Sequence, residues 1–490
     1  MPASLDLFQT GAWVPHTTIP NVHPPGVMAY LAAFWHITGY SIAATRIAML
    51  LMASAGAFFS FLLAIELGKG TPGFPAFGAL MFLVLSPLFM AQAMLAQLDM
   101  PAMVFSVLAL LLFLQDRMRS AALACVALVL AKETGLVLPA VFGAWLLCER
   151  RWREALLFTA PLLPLTVWLW ALHRATGHWA GNASFEQYNL IYTLHPVRFA
   201  LALVRRFYYL VIGSGHWVGA LAVIYAWRKS RLFRTRSWTI VGVFGIAHIL
   251  LISIFGGAVL ERYLMPLLPL LYIAFAMALA VVPFKWRVAG MASLVVMLVM
   301  ANFLNPLYPF PWENNLSFAQ FVTLDQRAAD YVESQYSGAT VAATFPLAGA
   351  LRRSDFGYVR HAVKVRDIDD YTLSTLRTLQ TQPPDVLVVY STTWDPLHIL
   401  ERGMVRGLLE TYYGFQPQAS SAEIVSLLQM RSVAKWTAGG QWVEIFESNA
   451  FRPRTMDVRN RPSSQFFRAQ RREARIFVKD VDLRETSHAQ

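Results

Sequence analysis

Long apolar runs separated by arginine clusters are the feature that most constrains this chain. Eight runs in the first two-thirds each approach the roughly 20 residues that a helix needs to cross the core of a bilayer. Because lipid offers no hydrogen-bonding partners, such runs must form helices whose backbone groups are satisfied internally. The runs cover residues 46–67, 75–95, 100–114, 154–173, 207–227, 238–255, 263–282 and 288–303.

Two shorter apolar segments, 121–131 and 134–147, complete a predicted membrane region of about ten helices. The polar stretch from Lys132 to Gly135 interrupts them, which predicts two short helices meeting at a polar point inside the protein. Composition agrees with this class, since only 14% of the residues are charged, against roughly 25% in a typical soluble domain.

Basic clusters give the predicted orientation. Lys and Arg residues at 117–119, 149–153, 228–236 and 285–287 fall between spans at alternate junctions. The positive-inside rule assigns these four loops to the cytoplasm, so the first 43 residues and everything beyond residue 305 lie outside. The formal charge of +12 then reflects topology and anionic lipid rather than nucleic-acid binding.

The character of the chain changes after residue 305. Helical periodicity at 325–336 and 399–413 alternates with strand-like runs at 339–344, 385–390, 432–436 and 441–447. The predicted organisation is therefore a multi-span domain over 1–305, with an outer loop at 1–43, and an extracytoplasmic small α/β domain over 306–450. Residues 451–490 are rich in arginine and are predicted to form a flexible basic tail.

Polar residues next to membrane spans are costly and are therefore candidates for function. Several of them fall at the predicted outer face although they are far apart in the sequence. Acids, bases and aromatic rings at one membrane interface suit a lipid-linked substrate. The Cys, His and acidic residues show no ligand spacing, so no metal site is predicted. The candidates are Asp6, His23, Arg46, Asp99, Lys132, Glu133, Arg262 and Tyr263.

Four stretches carry a resemblance to a known family. They are NVHPPG with the following GYSIAATR, LAQLDMP around Asp99, LAKETG around Lys132, and ERYLMPLLP around Arg262. In this order they resemble the membrane-embedded GT-C glycosyltransferases. The branch is that of the dolichyl-phosphate-mannose protein mannosyltransferases and the aminoarabinose lipid A transferases. The resemblance covers residues 11–283 and implies a bacterial inner-membrane enzyme with an extracytoplasmic C-terminal domain.

The resemblance also implies roles for individual residues. Asp99 matches the acid of the family's second outer loop, and Lys132 matches a lysine-containing turn. Arg262 and Tyr263 match the entry to a late span. The family's first-loop acid would lie upstream of Met1, so we expect a first span to precede the present start. Asp6 is the one acid in this loop and is the alternative to the missing residue.

The implied reaction moves a sugar from a polyprenyl-phosphate carrier to a hydroxyl acceptor. A carboxylate, at Asp99 or Asp6, takes the proton of the acceptor hydroxyl while the lipid phosphate leaves. Cations at the outer rim stabilise the phosphate, and the remaining candidates are expected to contact substrate. The sequence shows no required cofactor and leaves dependence on a divalent metal open. The sugar and the acceptor, whether protein, lipid or glycan, are also open.

Two other classes of function stay open from the residues: a transporter or lipid flippase, and a GT-C-like scaffold without activity. Each candidate residue also has a structural alternative. Lys132 and Glu133 form a mutually neutralised pair in that alternative, and Arg262 extends towards lipid headgroups. Arg46 anchors a span, and His23 stabilises a turn.

The orientation leads to a labelling prediction. We expect a cysteine at Ser230, in the basic 228–236 loop, to be protected from an impermeant thiol reagent in intact spheroplasts. A cysteine at Ser354 should react, and both variants are made after replacing Cys125 and Cys148 by serine. Permeabilised cells serve as the control in which both sites react. Labelling of Ser230→Cys with protection of Ser354→Cys would show that the predicted orientation is wrong.

Overall fold

The computed structural model describes residues 1–71, 75–257, 259–305 and 312–451. Up to residue 305 the described chain is almost entirely helical. The helices are α1 Pro2–Thr10, α2 Gly26–Thr38, α3 Ile42–Leu67, α4 Pro75–Leu85, α5 Pro87–Gln92, α6 Asp99–Leu114, α7 Met118–Ala131, α8 Val137–Cys148, α9 Trp152–Ala155, α10 Leu162–Thr176, α11 Ala183–Glu186, α12 Pro196–Val211, α13 His216–Lys229, α14 Arg236–Ile254, α15 Leu268–Val281 and α16 Phe284–Ala301.

Membrane-spanning helices follow the predicted runs. Among the described residues, five helical stretches of at least 18 residues have the length and composition to cross a membrane. The pair α12 and α13 makes a sixth if it is counted as one bent span. The multi-pass membrane character predicted from the sequence is therefore confirmed. The five stretches are Ile42–Leu67, Trp152–Thr176, Arg236–Ile254, Glu261–Val281 and Phe284–Ala301.

The predicted span 207–227 is wrong as an unbroken helix. The chain enters α12 at Pro196, before the predicted start of the run at residue 207, and α12 and α13 meet at a bend of 41°. Gly213, Ser214 and Gly215 form the break, where Ser214 has φ +53° and Gly215 has φ +83°. A Cβ at Gly215 would lie 2.4 Å from a side-chain atom of Met297. Glycine is required there because the backbone is left-handed and α16 packs against it.

The structure divides one predicted run and confirms one predicted break. The predicted run 75–95 is divided at Ser86 into α4 and α5, because Pro87 has no N–H to continue the helix. The predicted polar break at Lys132–Gly135 is confirmed: α7 ends at Ala131, and a 3₁₀ turn, Glu133–Leu136, leads into α8.

The span that carries the late-span motif lies at the centre of the membrane region. It consists of a 3₁₀ turn, Glu261–Leu267, continued by α15, and it is the most enclosed of the five spanning stretches. Pro269 falls in the first turn of α15, where a missing N–H group does the least damage, whereas Pro266 lies inside the 3₁₀ turn. The rigid core therefore fixes the positions of Arg262 and Tyr263 at the start of this span.

The region after residue 312 forms the small α/β fold that the sequence predicts. The five-stranded sheet has the order β2-β1-β3-β5-β4, with β1 parallel to β2 and β3, and β5 antiparallel to β3 and β4. The central strand β3 is buried at all five positions, which confirms its predicted place. The elements are α17 Ser317–Gln335, β1 Thr340–Ala343, α18 Leu347–Arg352, β2 Lys364–Asp367, α19 Leu373–Thr378, β3 Val386–Tyr390, α20 Gly403–Tyr413, α21 Ser421–Leu428, β4 Met430–Ala438 and β5 Gln441–Ser448.

Four elements of this sheet region were not predicted: the strand β2 and the short helices α18, α19 and α21. The first of these, the strand, is only four residues long and is partly or fully exposed throughout, so it has no apolar signature. Helix α21 is short and is defined at its start by a capping box between Ser420 and Glu423. The predicted tail lies, after its first residue, outside the described residues, and so does the predicted domain boundary at 306.

The sheet region contacts the outer loop of the membrane region directly. Arg353 donates to the Thr17 hydroxyl (2.5 Å), and the Tyr40 hydroxyl donates to the carbonyl of Asp355 (2.5 Å). Arg353 is itself held by two contacts to the Asp355 carboxylate. These contacts fix the α/β region on the first outer loop.

Candidate active site

Asp99 is the centre of a buried charge cluster. It is the first residue of α6, where the helix dipole favours a negative charge, and only 3% of its surface is exposed. Its Oδ1 accepts a hydrogen bond from Lys132 Nζ at 2.5 Å, and its Oδ2 lies 3.1 Å from Arg262 Nε. Each carboxylate oxygen therefore has its own cation, and the structure brings three of the predicted site residues together.

The break between α7 and α8 positions Lys132. Its backbone is extended at the end of α7, which turns the side chain away from the helix and towards Asp99. The ammonium also lies 4.1 Å from the centre of the Tyr263 ring, a cation–π contact. A lysine ammonium has three donors, and Asp99 is the one hydrogen-bond acceptor of Lys132 in the described part of the chain. Its other N–H groups donate to no oxygen or nitrogen acceptor in that part of the chain.

Arg262 joins the cluster to the segment that leads into the α/β region. Its Nη1 pairs with the Glu313 carboxylate, which lies in a short turn, Trp312–Asn314. Two glutamines at the other side of the turn, Gln92 and Gln97, donate to Glu313, at its carbonyl (2.9 Å) and its carboxylate (3.3 Å). Glu313 was not predicted from the sequence, although an acidic residue just after the predicted domain boundary could have marked it as a candidate.

Arg206 is a second residue that the sequence analysis missed. It is 1% exposed and donates to Ser253 Oγ at 3.1 Å and to the carbonyl of Ile252 at 2.6 Å, at the end of α14. A cation there complements the negative end of the helix dipole. Its guanidinium lies 6.0 Å from the centre of the Tyr263 ring, as does that of Arg262. In the sequence Arg206 stands just before the predicted span at 207–227, so it was not distinguished from an ordinary loop arginine.

His23 and Glu133 form a separate pair beside the cluster. His23 Nδ1 lies 2.8 Å from Glu133 Oε2, and their side chains are 29% and 20% exposed, against 4% for Asp99. Lys132 pairs with Asp99 instead, so the alternative in which Lys132 and Glu133 neutralise each other is wrong. The edge of the Phe185 aromatic ring contacts the His23 imidazole.

Asp6 and Arg46 have different surroundings. The Asp6 carboxylate accepts three hydrogen bonds, from the backbone N–H groups of His16 and Thr17 and from the Thr17 hydroxyl. Burial opposes its ionisation, but these hydrogen bonds outweigh burial and hold the pKa of Asp6 below its usual range. Asp6 therefore organises the outer loop, and its catalytic role stays a prediction. Arg46 is exposed at the start of α3 and makes no ion pair with the described residues.

The cluster combines two cations with two carboxylates at the ends of membrane helices. Asp99 and Glu313 balance Lys132 and Arg262, so the four side chains together carry no net charge. Buried charges in a medium of low dielectric interact strongly, and their positions are fixed before a ligand arrives. Within the described ranges, no group of three or more His, Cys, Asp or Glu residues is placed to hold a metal ion.

The fold that carries this site is the GT-C glycosyltransferase fold predicted above. The chain is similar over most of its length to ArnT from Cupriavidus metallidurans. The crystal structure of that protein bound to undecaprenyl phosphate has 16% identity and a TM-score of 0.53, and the match covers 91% of this chain and 92% of that one. The apo structure has 15% identity and a TM-score of 0.51, with the same coverage. No protein-family model and no curated protein sequence matches the chain.

The buried pair at the centre of the cluster leads to a stability prediction. Asp99→Asn removes the carboxylate that neutralises the buried Lys132 and one of the two that neutralise the partly buried Arg262, and we expect it to lower the free energy of unfolding by about 3 kcal/mol. Lys132→Met should then cost less in the Asp99→Asn background than alone, with a coupling energy of about 1–3 kcal/mol. Reversible unfolding in mixed micelles measures both quantities.

The control is a double-mutant cycle at Glu149 and Arg236, an exposed bidentate pair with donor–acceptor distances of 2.8 and 2.9 Å. Exposed pairs contribute about 0–1 kcal/mol. A coupling at Asp99 no larger than that at Glu149 would show that the cluster is not a buried electrostatic unit.

Proposed function

We propose that this protein is a glycosyltransferase that moves a sugar from a polyprenyl-phosphate donor to a hydroxyl acceptor at the outer face of a bacterial inner membrane. The observation that carries the proposal is the pair of cations at the ends of membrane helices, the buried Lys132 and the partly buried Arg262, which share Asp99. The ArnT relative was crystallised with undecaprenyl phosphate, a ligand that such cations suit.

The cations would bind the donor phosphate and stabilise it as it leaves. Arg262 and Lys132 adjoin apolar spans, so an isoprenyl chain lies in lipid while its phosphate reaches both side chains. Charge-assisted hydrogen bonds to phosphate are stronger than neutral ones, and a water-poor site strengthens them further. In this account Asp99 is a positioning residue, because each of its oxygens is engaged by one of the cations.

The proton of the acceptor hydroxyl needs a more accessible base. The pair His23 and Glu133 meets this requirement best among the predicted residues, since Glu133 is next to Lys132 in the chain and both side chains are more exposed than Asp99. Glu133 would orient the imidazole, and the pair would accept the proton as the acceptor oxygen attacks the anomeric carbon. The bond between that carbon and the phosphate oxygen breaks in the same step.

The α/β region would lie outside the membrane, above the donor site. This placement follows from the assignment of the basic loops to the cytoplasm. The acceptor would approach from the same side, between the α/β region and the outer loop to which Arg353 attaches it. The nature of the sugar and of the acceptor is not part of the proposal.

A titration with lipid in nanodiscs tests the proposal. Lys132→Gln and Arg262→Gln should each weaken the binding of undecaprenyl phosphate by about 1–3 kcal/mol, because each removes a charge-assisted contact. Binding of undecaprenol, which has no phosphate, should not change. Lys69→Gln is the matched control, since Lys69 is an exposed cation paired with Glu66 away from the cluster.

Two results would count against the proposal. Unchanged affinity in both variants would reject the phosphate site. Failure of the parent protein to bind undecaprenyl phosphate would reject the glycosyltransferase itself and favour a transporter or a scaffold.

A further inference from the structure

A cavity of about 390 Å³ lies beside the charge cluster. It is bounded by the break between α12 and α13, by the end of α16 and by the turn Trp312–Asn314. Its size is within the usual range for a small-molecule site. Its lining residues include Tyr209, Ser214, Glu261, Met297, Met300 and Asn314.

The cavity shares its supporting turns with the cation site. Glu261 immediately precedes Arg262, and Asn314 immediately follows Glu313. Arg262 and Glu313 form an ion pair, so their chain neighbours on the cavity wall are held close to the cations. A group bonded to a phosphate at Arg262 is therefore within reach of the cavity.

The wall of the cavity includes the irregular backbone at Ser214. Non-helical backbone within a membrane-spanning segment is tolerated where it lines a cavity or is buried in protein. Broken helices of this kind expose backbone polar groups that bind ligands. The break between α12 and α13 thus places polar backbone on the same cavity as Glu261 and Asn314.

Tyr209 provides the independent indication of a ligand. It is 6% exposed, and its buried hydroxyl has no hydrogen-bond partner within the described ranges. The ring is fixed in place, because the His216 ring packs against it at 5.7 Å and the His216 imidazole bonds to the Tyr209 carbonyl at 2.8 Å. A buried hydroxyl without a partner is unfavourable, and a ligand hydroxyl at the cavity wall would relieve this.

The walls of the cavity differ in polarity. Met297 and Met300 line one side, whereas Tyr209, Glu261 and Asn314 supply oxygen and nitrogen atoms. A sugar has apolar C–H faces and polar hydroxyl edges, so it matches both. An isoprenyl chain would leave the Tyr209 hydroxyl without a hydrogen-bond partner, which is costly in a dry site.

We propose that this cavity binds the sugar of the polyprenyl-phosphate donor, with the Tyr209 hydroxyl as one of its hydrogen-bonding partners. The proposal rests on the function proposed above and adds the location of the sugar. The isoprenyl chain leaves on the lipid side, where Met300 is 51% exposed and Leu304 is 58% exposed.

The test compares two kinds of lipid in the same nanodisc titration. One is undecaprenyl phosphate, and the other is a panel of undecaprenyl phosphates bearing glucose, mannose, galactose, arabinose or 4-amino-4-deoxyarabinose. In the parent, at least one glycosylated lipid should bind more tightly than the bare carrier. Tyr209→Phe should reduce that preference by about 3- to 10-fold and leave the affinity for undecaprenyl phosphate unchanged. Tyr225→Phe is the control, because Tyr225 lies on α13 outside the cavity.

A second variant fills the cavity without removing a polar group. Ala301→Trp, on the cavity wall, should abolish the preference for the glycosylated lipid, whereas Ala292→Trp on an exposed face of α16 should not. Equal weakening of both lipids by Ala301→Trp would show that the cavity holds the isoprenyl chain, and the proposal would be wrong. It would also be wrong if neither cavity variant changed the preference or if the parent showed none.

These outcomes are separate from the failure of the proposed function. A parent that binds undecaprenyl phosphate through Arg262 but ignores the sugar rejects the cavity proposal alone. A parent that binds none of the lipids rejects both.

Discussion

The ion pairs of Asp99 hold together parts of the chain that the sequence separates widely. Its carboxylate joins the start of α6 to Lys132 at the α7–α8 break and to Arg262 at the entry of the central span. Arg262 then connects the membrane region to Glu313 and so to α17. Because buried charges without partners are strongly unfavourable, this cluster forms only when all of these elements are in place. The geometry of the outer face depends on that condition.

A second set of contacts holds Tyr263 in place next to the cluster. His248 Nε2 bonds to the carbonyl of Tyr263 at 2.9 Å, and Arg206 closes the end of α14 below the same ring. Lys132 lies over the Tyr263 ring. Tyr263 is therefore surrounded by cations that it does not neutralise. Its electron-rich face lowers the cost of keeping positive charge in a dry site. A phosphate that reached this cluster would meet charges that are already oriented.

Much of the fold followed from hydropathy and motif spacing. The spans were visible because lipid requires long apolar helices, and the polar break at Lys132 was visible because charged residues rarely interrupt such runs. The association of Asp99, Lys132 and Arg262 was expected only as a shared membrane face, from the predicted topology. Their pairwise contacts depend on tertiary packing, which sequence periodicity does not encode. The break at Gly213–Gly215 was not predicted either, because the residues around it are as apolar as those of an unbroken span.

The central claim is that Lys132 and Arg262 form a preorganised phosphate site organised by Asp99. A cryo-EM structure of the protein in nanodiscs with undecaprenyl phosphate tests it most directly. The account predicts phosphate density within hydrogen-bonding distance of Lys132 Nζ and the Arg262 guanidinium, with Asp99 still paired to Lys132. Phosphate density elsewhere, with the cluster unchanged and unoccupied, would contradict it.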